Sequence, residues 1–329
     1  VFASSERAIG EKVKRFMTVN DLPKLCIFAG FPLDPADNKR KDPQWLAQKL
    51  NDPSSHFILY CQGRPLMDVA EGLHPAFKFA DEMQEIYAGE WDTVDWVFLG
   101  VDKEDAFFAV NISDETCASP QEKFIDLRSV ALQLGEEGFS DIPSLLGRGK
   151  MMLDWNGRRH FCSCCGGETQ AMNGGYIRKC LTESCAAEHF PRTDPVVIML
   201  VTRGDQCLMG RGKGWPMGRF SALAGFMEPG ETIEEAVQRE VGEETGIRVG
   251  DVRYVKSQPW PFPSSLMIGV EADALTTDIT LDDELEEAVW FDRAYLKSVF
   301  EKGGDEKFSL PVSIAIARHL LQDWVYRRN

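Results

Sequence analysis

Over its first third the chain alternates short apolar runs with turn-forming residues. The stretches Lys24–Phe28, His56–Cys61, Pro65–Asp68, Val94–Gly100 and Ala106–Ile112 have strand length and are bounded by Gly, Pro, Asp and Asn. They predict a β-rich N-terminal domain, preceded by a polar lead-in over residues 1 to about 20. The period then lengthens: Phe124–Leu134 and Ile142–Asn156 carry apolar positions three and four apart, the helical spacing. Beyond Pro191 come a strand at Val196–Val201, a Gly-rich stretch to Gly225, a strongly patterned helix, further strands, and a last helix over Pro311–Tyr326. That order predicts an α+β fold. No internal repeat and no low-complexity tract is legible. The expected divisions are an N-terminal domain with linking helices at 1–157, a cysteine-rich ribbon at 158–190 and a C-terminal domain at 191–329. No apolar run approaches the roughly 18 residues that a membrane span requires.

The helix of the C-terminal domain is the most strongly specified element. Thr232 followed three residues later by Glu235 is a capping box, so a helix should begin at about Ile233. Ile233, Ala236, Val237 and Val241 form its apolar stripe, and Gly246 is placed to end it. Before it, Gly225, Pro229 and Gly230 make a loop able to approach a ligand closely. Beside the stripe, Glu240, Glu243 and Glu244 stand one turn apart, where carboxylates repel. Two readings are open at this level: hard divalent cations among the oxygens, or a solvated acidic face.

The net charge of −16 leaves no excess of Lys and Arg for general nucleic-acid binding. An acidic chain that acts on an anion needs a local remedy, and bound Mg²⁺ or Mn²⁺ is one. Of nine cysteines, four are clustered as Cys162-x2-Cys165 and Cys180-x4-Cys185 around a Gly174-Gly175 turn. Four thiolates at that spacing can close a tetrahedron around one Zn²⁺, the structural arrangement. Cys164 would make a tighter chelate loop with Cys162 than a knuckle uses, and His160 and His189 flank the cluster as alternatives. Cys26, Cys61, Cys117 and Cys207 are scattered through mostly apolar stretches, which fits a reducing compartment. Downstream, Ser257-Gln-Pro-Trp-Pro-Phe-Pro-Ser-Ser265 holds three prolines within five residues and cannot be a central strand. It should hold Trp260 and Phe262 in fixed directions, either to stack on a planar base or to anchor a partner.

Gly225, Glu231, Arg239, Glu240, Val241, Glu243, Glu244, Gly246 and Ile247 fill every fixed position of the pattern G-x5-E-x7-R-E-U-x-E-E-x-G-U, with U aliphatic. The chain thereby resembles the Nudix hydrolases. The resemblance implies a loop-helix-loop on an α/β/α sandwich with a mixed sheet. With the ribbon, His189-Phe190-Pro191-Arg192 and the proline-rich segment, it is similar to the NADH pyrophosphatase branch from about Leu127 to the C-terminus, and only loosely before. The resemblance implies two or three Mg²⁺ or Mn²⁺ ions held by Glu240, Glu243, Glu244, the main-chain carbonyl of Ala224 and Glu284, with Glu287 the competitor of Glu284. Arg239 would pair with Glu231 and orient the loop. Gln258, Pro259, Trp260, Pro261, Phe262, Pro263, Ser264 and Ser265 would line a dinucleotide pocket, with Phe190 facing substrate and Ala317 giving backbone contacts. Relatives often carry Tyr where Phe190 stands, so a hydroxyl is missing here. The implied reaction splits the diphosphate of NAD(H) into NMN(H) and AMP, with Glu243 favoured as base. NAD-capped RNA 5′ ends or ADP-ribose are alternative substrates, and a homodimer is implied. A degenerate, ligand-sensing relative would lack a signature glutamate, and none is missing. The first residue is Val, so a targeting leader is not legible. The final Tyr326-Arg327-Arg328-Asn329 is not a peroxisomal tripeptide, so the cytoplasm is expected, with an organelle as the alternative.

Overall fold

The computed structural model describes residues 26–87, 94–115, 118–136 and 141–327. The expected polar lead-in, Cys117 and the first half of the Lys24–Phe28 segment lie outside these residues. The chain divides into two compact units, 1–192 with 261–264, and 193–260 with 265–329.

In the first unit β1 (His56–Cys61), β2 (Arg64–Asp68), β3 (His74–Pro75), β4 (Phe77–Lys78), β5 (Trp96–Asp102), β6 (Asp105–Ile112) and β7 (Glu122–Phe124) form one mixed sheet. Its order is β3-β2-β1-β6-β5, with β4 on β1 and β7 on β2. β1 and β6 run parallel, Phe57 opposite Phe108. Phe57, Leu59 and Cys61 are buried with Leu46 and Leu50 of α1 (Pro43–Leu50) and with Ala80 and Met83 of α2 (Ala80–Tyr87). The intervening side chains point to the opposite face, where the Tyr60 hydroxyl donates to the Leu146 carbonyl of α4 (Asp141–Gly157) at 2.8 Å. α3 (Leu127–Glu136) precedes it. Helix α1 was not anticipated from the apolar pattern. It starts because the Asp42 carboxylate accepts from Gln44 N–H at 2.9 Å and Pro43 presets the first turn. Conversely, Cys26–Phe28 forms a turn and not a strand: Ala29 N–H donates to the Cys26 carbonyl at 3.1 Å, and Phe28 takes φ 70°.

The ribbon is a three-stranded sheet in the order β10-β9-β8, with β8 at Thr169–Met172, β9 at Ile177–Cys180 and β10 at Glu188–His189. Its tip turns at Asn173–Gly175. A Cβ on Gly174 or Gly175 would come within 2.7 Å of Phe98 or Val97 respectively, so the glycine pair is what lets the tip lie directly on β5.

In the second unit β11 (Asp194–Arg203), β12 (Gln206–Gly212), β13 (Leu223–Phe226), β14 (Val249–Trp260), β15 (Ser265–Ala274) and β16 (Leu285–Asp292) form a mixed sheet, order β14-β15-β11-β12-β16, with β13 on β11. Strand β11 is sided on both faces. Val197, Met199 and Val201 pack with Ala236, Val237 and Val241 of α5 (Ile233–Thr245). Leu200 packs with Leu296 and Val299 of α6 (Arg293–Lys302) and with Leu321 and Trp324 of α7 (Ile316–Tyr326). The result is an α/β/α sandwich with a mixed sheet.

The two large sheets share one topology. β5-β6-β1-β2-β7 matches β14-β15-β11-β12-β16, with a parallel central pair in each. In each, a short strand on the central one (β4 or β13) leads into a helix (α2 or α5). An internal repeat therefore exists in topology where none was legible in the residues. The copies differ at the connection into the helix: residues 227–232 lie between β13 and α5, whereas Phe79 alone separates β4 from α2.

The proline-rich segment divides between two elements. Ser257–Trp260 ends β14, an edge strand where Pro259 is tolerated, and 261–264 is the turn before β15. Gln258 is fully buried; its amide donates to the Ile314 carbonyl at 2.8 Å and accepts from Ile316 N–H at 2.9 Å, pinning the start of α7. Gln258→Leu would leave both backbone groups buried and unpaired, and should lower the unfolding free energy by about 2–4 kcal/mol. Denaturant unfolding checks this, and an unchanged midpoint would remove the clamp.

Candidate active site

Helix α5 starts where its caps demand. The Thr232 hydroxyl accepts from Glu235 N–H at 3.2 Å, and the Glu235 carboxylate accepts from Thr232 N–H at 2.8 Å. Gly246, at φ 69°, ends it. With the apolar stripe buried, the helix carries Arg239, Glu240 and Glu243 along its boundary with solvent.

All five N–H groups of Arg239 are engaged. Nε and one terminal nitrogen fork onto Glu231 at 2.5 and 2.9 Å. That same nitrogen donates to the Phe226 carbonyl at 2.9 Å. The other donates to Glu240 at 2.9 Å and to Glu243 at 3.1 Å. Glu231 also accepts from Glu228 N–H at 2.8 Å. Hydrogen bonds from Arg239 first, and that backbone bond second, hold the Glu231 carboxyl down to about 2. The helix is thus tied to the loop before it.

Glu240 lies directly over Gly225 of β13. A Cβ at that glycine would sit 1.8 Å from the Glu240 carboxyl carbon, so the bare backbone is what gives the carboxylate its place. Glu244 is buried. Desolvation first, then the charges of Glu240, Glu284, Asp282 and Glu243, push its carboxyl up to about 8. A buried carboxylate crowded by four others suits a site that takes divalent cations, which would relieve both the repulsion and the desolvation. Glu284, just before β16, is among the charges acting on Glu244, whereas Glu287 is held by Arg211 Nε at 3.1 Å. The glutamates have not converged to ligand distance. Among the described residues, three or more donor side chains within 4.8 Å of one another occur at the cysteines and not here.

At the ribbon, the Sγ atoms of Cys162, Cys165, Cys180 and Cys185 lie within 4.8 Å of one another, with Cys162–Cys185 at 3.8 Å and Cys165–Cys180 at 3.5 Å. A tetrahedron with metal–sulfur bonds of about 2.3 Å has edges of about 3.8 Å, so the donor set fits one Zn²⁺. Backbone N–H groups, that of Cys164 first, hold the Cys162 thiol down to about 5. Cys185 receives a backbone N–H from Ala187 that favours its thiolate, yet the neighbouring thiols and burial push it up to about 12. Four thiolates cannot coexist there without a cation. Cys164 is exposed and outside the set, and His189 Nε2 lies 3.2 Å from Cys162 Sγ.

The remaining sequence-derived residues fall in both units. Phe190, 58% exposed, and the 261–264 turn belong to the first; Ala224, Gln258, Pro259, Trp260, Ser265 and Ala317 belong to the second. Phe262 meets Phe28 edge-on at 5.9 Å and has the Arg128 guanidinium 4.5 Å from its ring centre, so neighbours within its own unit already engage it. Ala317 is buried in α7, and Ala224, opposite Ile198, is exposed. Phe226 was missed. It is 62% exposed beside Gly225 and occupies a variable position of the signature, where its one signal was an apolar residue in a polar loop.

Two family models match: the NUDIX domain over residues 192–309, and the NADH pyrophosphatase-like rudimentary NUDIX domain over 54–155. The NAD-capped RNA hydrolase NUDT12 of Homo sapiens is 36% identical over 333 residues, covering 89% of this chain and 72% of that protein. The chain belongs to the Nudix hydrolase family. Within that family it is of the NADH pyrophosphatase type. The NAD-capped RNA hydrolase NudC of Pseudomonas aeruginosa is 36% identical over 217 residues, 66% of this chain and 72% of that one. Nudix hydrolase 19, chloroplastic, of Arabidopsis thaliana is 40% identical over 223 residues, 64% of this chain and 50% of that one. Nudix hydrolases depend on divalent metals. The match at 54–155 accounts for the repeated topology: the first unit carries a Nudix sheet without the catalytic loop. Among the described residues no helix is long and apolar enough to cross a membrane.

Two outcomes follow from this geometry. Gly225→Ala should displace the Glu240 carboxylate and lower kcat by about 100-fold, the penalty of an ångström-scale misplacement, with the circular dichroism spectrum unchanged; wild-type kcat would refute the close approach. The second concerns pH. Because Glu244 is raised from 4.5 to about 8, the folded chain holds its proton more tightly than the unfolded one, so without divalent metal, stability falls as pH rises through that window. Mg²⁺ should therefore raise the melting temperature more at pH about 9 than at about 6, and Glu244→Gln should abolish the difference. Equal shifts at both pH values in the wild type would overturn this account.

Proposed function

We propose that this hydrolase splits the diphosphate bond of NAD(H) into NMN(H) and AMP, using two or three Mg²⁺ or Mn²⁺ ions, with one structural Zn²⁺ per chain in the ribbon. The observation that carries the reading is the crowding of carboxylates around buried Glu244, beside a loop that Arg239 fixes. Glu240, Glu244 and Glu284, with the Ala224 carbonyl, would hold the cations. When bound, such ions neutralise charge on the phosphoryl oxygens and acidify a water. Glu243 is exposed and tied by one 3.1 Å bond to Arg239, which suits it to take the proton of the attacking water. Arg239 positions; its five N–H groups are committed to the loop and its neighbours. In the second unit Phe226 and Trp260 are the aromatic faces offered to a ring of the substrate. Gln258 would act through the backbone it clamps at the start of α7, next to Ala317.

A second substrate is favoured by the relatives, since NUDT12 and NudC are named for NAD-capped RNA. The bond cleaved would be the same one, with RNA in place of the free adenosine moiety. The test is product analysis with NADH, NAD⁺, ADP-ribose and NAD-capped RNA side by side, beside metal analysis of the purified chain. NMN(H) with AMP or 5′-phosphorylated RNA, one zinc per chain, and a kcat lowered about 100-fold or more in Glu243→Gln and Glu244→Gln are expected. Other products from NADH, or wild-type kcat in Glu244→Gln, would sink the mechanism; a zinc-free wild-type protein would sink the ribbon assignment.

A further inference from the structure

The first unit contains a cavity of about 630 Å³ that the chemistry above does not use. Its walls come from the residues leading into α1, the start of β5, the end of α4, and strands β8 and β9 of the ribbon. Its charge is opposite to that of the chain. Arg40, Lys41 and Arg178, with His160, line it against Asp95, in a protein of net charge −16. Asp37, outside the lining, pairs with Arg40 at 2.6 Å and also with Lys41. Three permanent cations still face two carboxylates.

Arg178 is the most informative of them. It is 5% exposed, and the carboxylate that acts on it is that of Asp95. Its Nε donates to Thr169 Oγ1 at 2.8 Å and a terminal nitrogen to the Thr169 carbonyl at 2.9 Å, while its nearest contacts to Asn156 and His160 are 3.5 and 3.4 Å. A buried guanidinium whose hydrogen-bond partners are neutral, with Asp95 acting on it only through space, keeps part of a desolvation penalty that an anion would offset. Arg40, though paired with Asp37, has its Nε buried with no hydrogen-bond partner, and its guanidinium lies 3.7 Å from the centre of the Tyr176 ring. The remaining wall is mixed: Leu46, Val94, Trp96 and Met172 give it apolar surface, and Asn51, Gln170 and Asn173 give it neutral polar groups. Cations together with aromatic and apolar side chains, in a volume typical of small-ligand sites, suit a molecule that carries both a phosphate and a planar ring.

We propose that this cavity binds a nucleotide-sized organic phosphate, its phosphate at Arg40, Lys41 and Arg178 and its ring against the wall formed by Trp96 and Met172. The site is built from residues 40–51, the start of β5, the end of α4 and the ribbon, and is made of residues of the first unit alone. Binding there needs no turnover, so it stands or falls apart from the proposed reaction.

The experiment is calorimetric titration of AMP into the full chain and into two cavity variants, Ala171→Trp, which fills the space, and Arg40→Glu, which reverses its charge. Neither residue belongs to the catalytic machinery. In the wild type a binding event beyond the active site is expected, and both variants should weaken it about tenfold or more while NADH turnover and zinc content stay at wild-type values. Adenosine, lacking the phosphate, should bind that site about tenfold more weakly than AMP or worse. If Ala171→Trp does not fold, Arg40→Glu combined with Lys41→Glu replaces it. AMP binding unchanged in stoichiometry and affinity by the variants would overturn the site, and equal binding of adenosine and AMP would overturn the phosphate assignment.

Discussion

The guanidinium of Arg239 is the constraint on which the active site rests. One planar fork satisfies Glu231 twice, the Phe226 carbonyl, Glu240 and Glu243, and so fixes a loop, the end of a strand and one helix face in a single geometry. Lysine carries the same charge as a point and could not hold these directions together. The glutamates crowd on that helix face because two other terms offset their repulsion: this cation beside them, and an apolar stripe of Ala236, Val237 and Val241 that anchors the helix in the core. Gly225 supplies the remaining condition, a strand whose backbone leaves room for Glu240.

Two copies of one sheet show what that arrangement adds to the fold. Both keep the parallel central pair and a short strand leading into a helix. In the second unit, six residues at 227–232 separate strand from helix, enough for Glu231 to fold back onto Arg239 while accepting from Glu228 N–H; in the first, Phe79 alone separates them. There the first-turn Glu82 accepts from Phe79 N–H at 2.9 Å and reaches Lys78 at 3.5 Å, so its carboxylate is used in capping. A sheet can survive the loss of its loop because its core needs only alternating apolar residues, while the catalytic loop needs particular ones.

The same difference explains what could be read in advance. Helix 233–245 was legible at both ends, since its cap, stripe and terminator lie within fourteen positions of one another. The cysteine set was legible because chelation is governed by spacing. Pairing partners were not. Strand order depends on contacts between residues far apart in sequence, and two sheets with no shared residue pattern hid a common topology. Gln258 is instructive: its position beside Trp260 pointed to the substrate, yet its side chain is spent on Ile314 and Ile316, more than fifty residues away. Phe226 escaped because a signature weights its fixed positions, while exposure is a property of the fold.

An acidic chain that handles phosphates has two ways to supply positive charge. The second unit gathers carboxylates, and its affinity for an anionic substrate then depends on cations taken from solution; ionic strength and metal concentration act on it directly. The first unit places guanidinium groups in a partly enclosed cavity, where the charge is permanent and screening by salt is weaker. Arg178 and Cys180 share one four-residue strand, so the ribbon that holds four thiols within 4.8 Å of one another also sets the direction of that buried cation. Each unit thus orients a guanidinium by its hydrogen-bond partners, with opposite balance: three carboxylates surround Arg239, whereas Thr169 holds Arg178 through neutral oxygens.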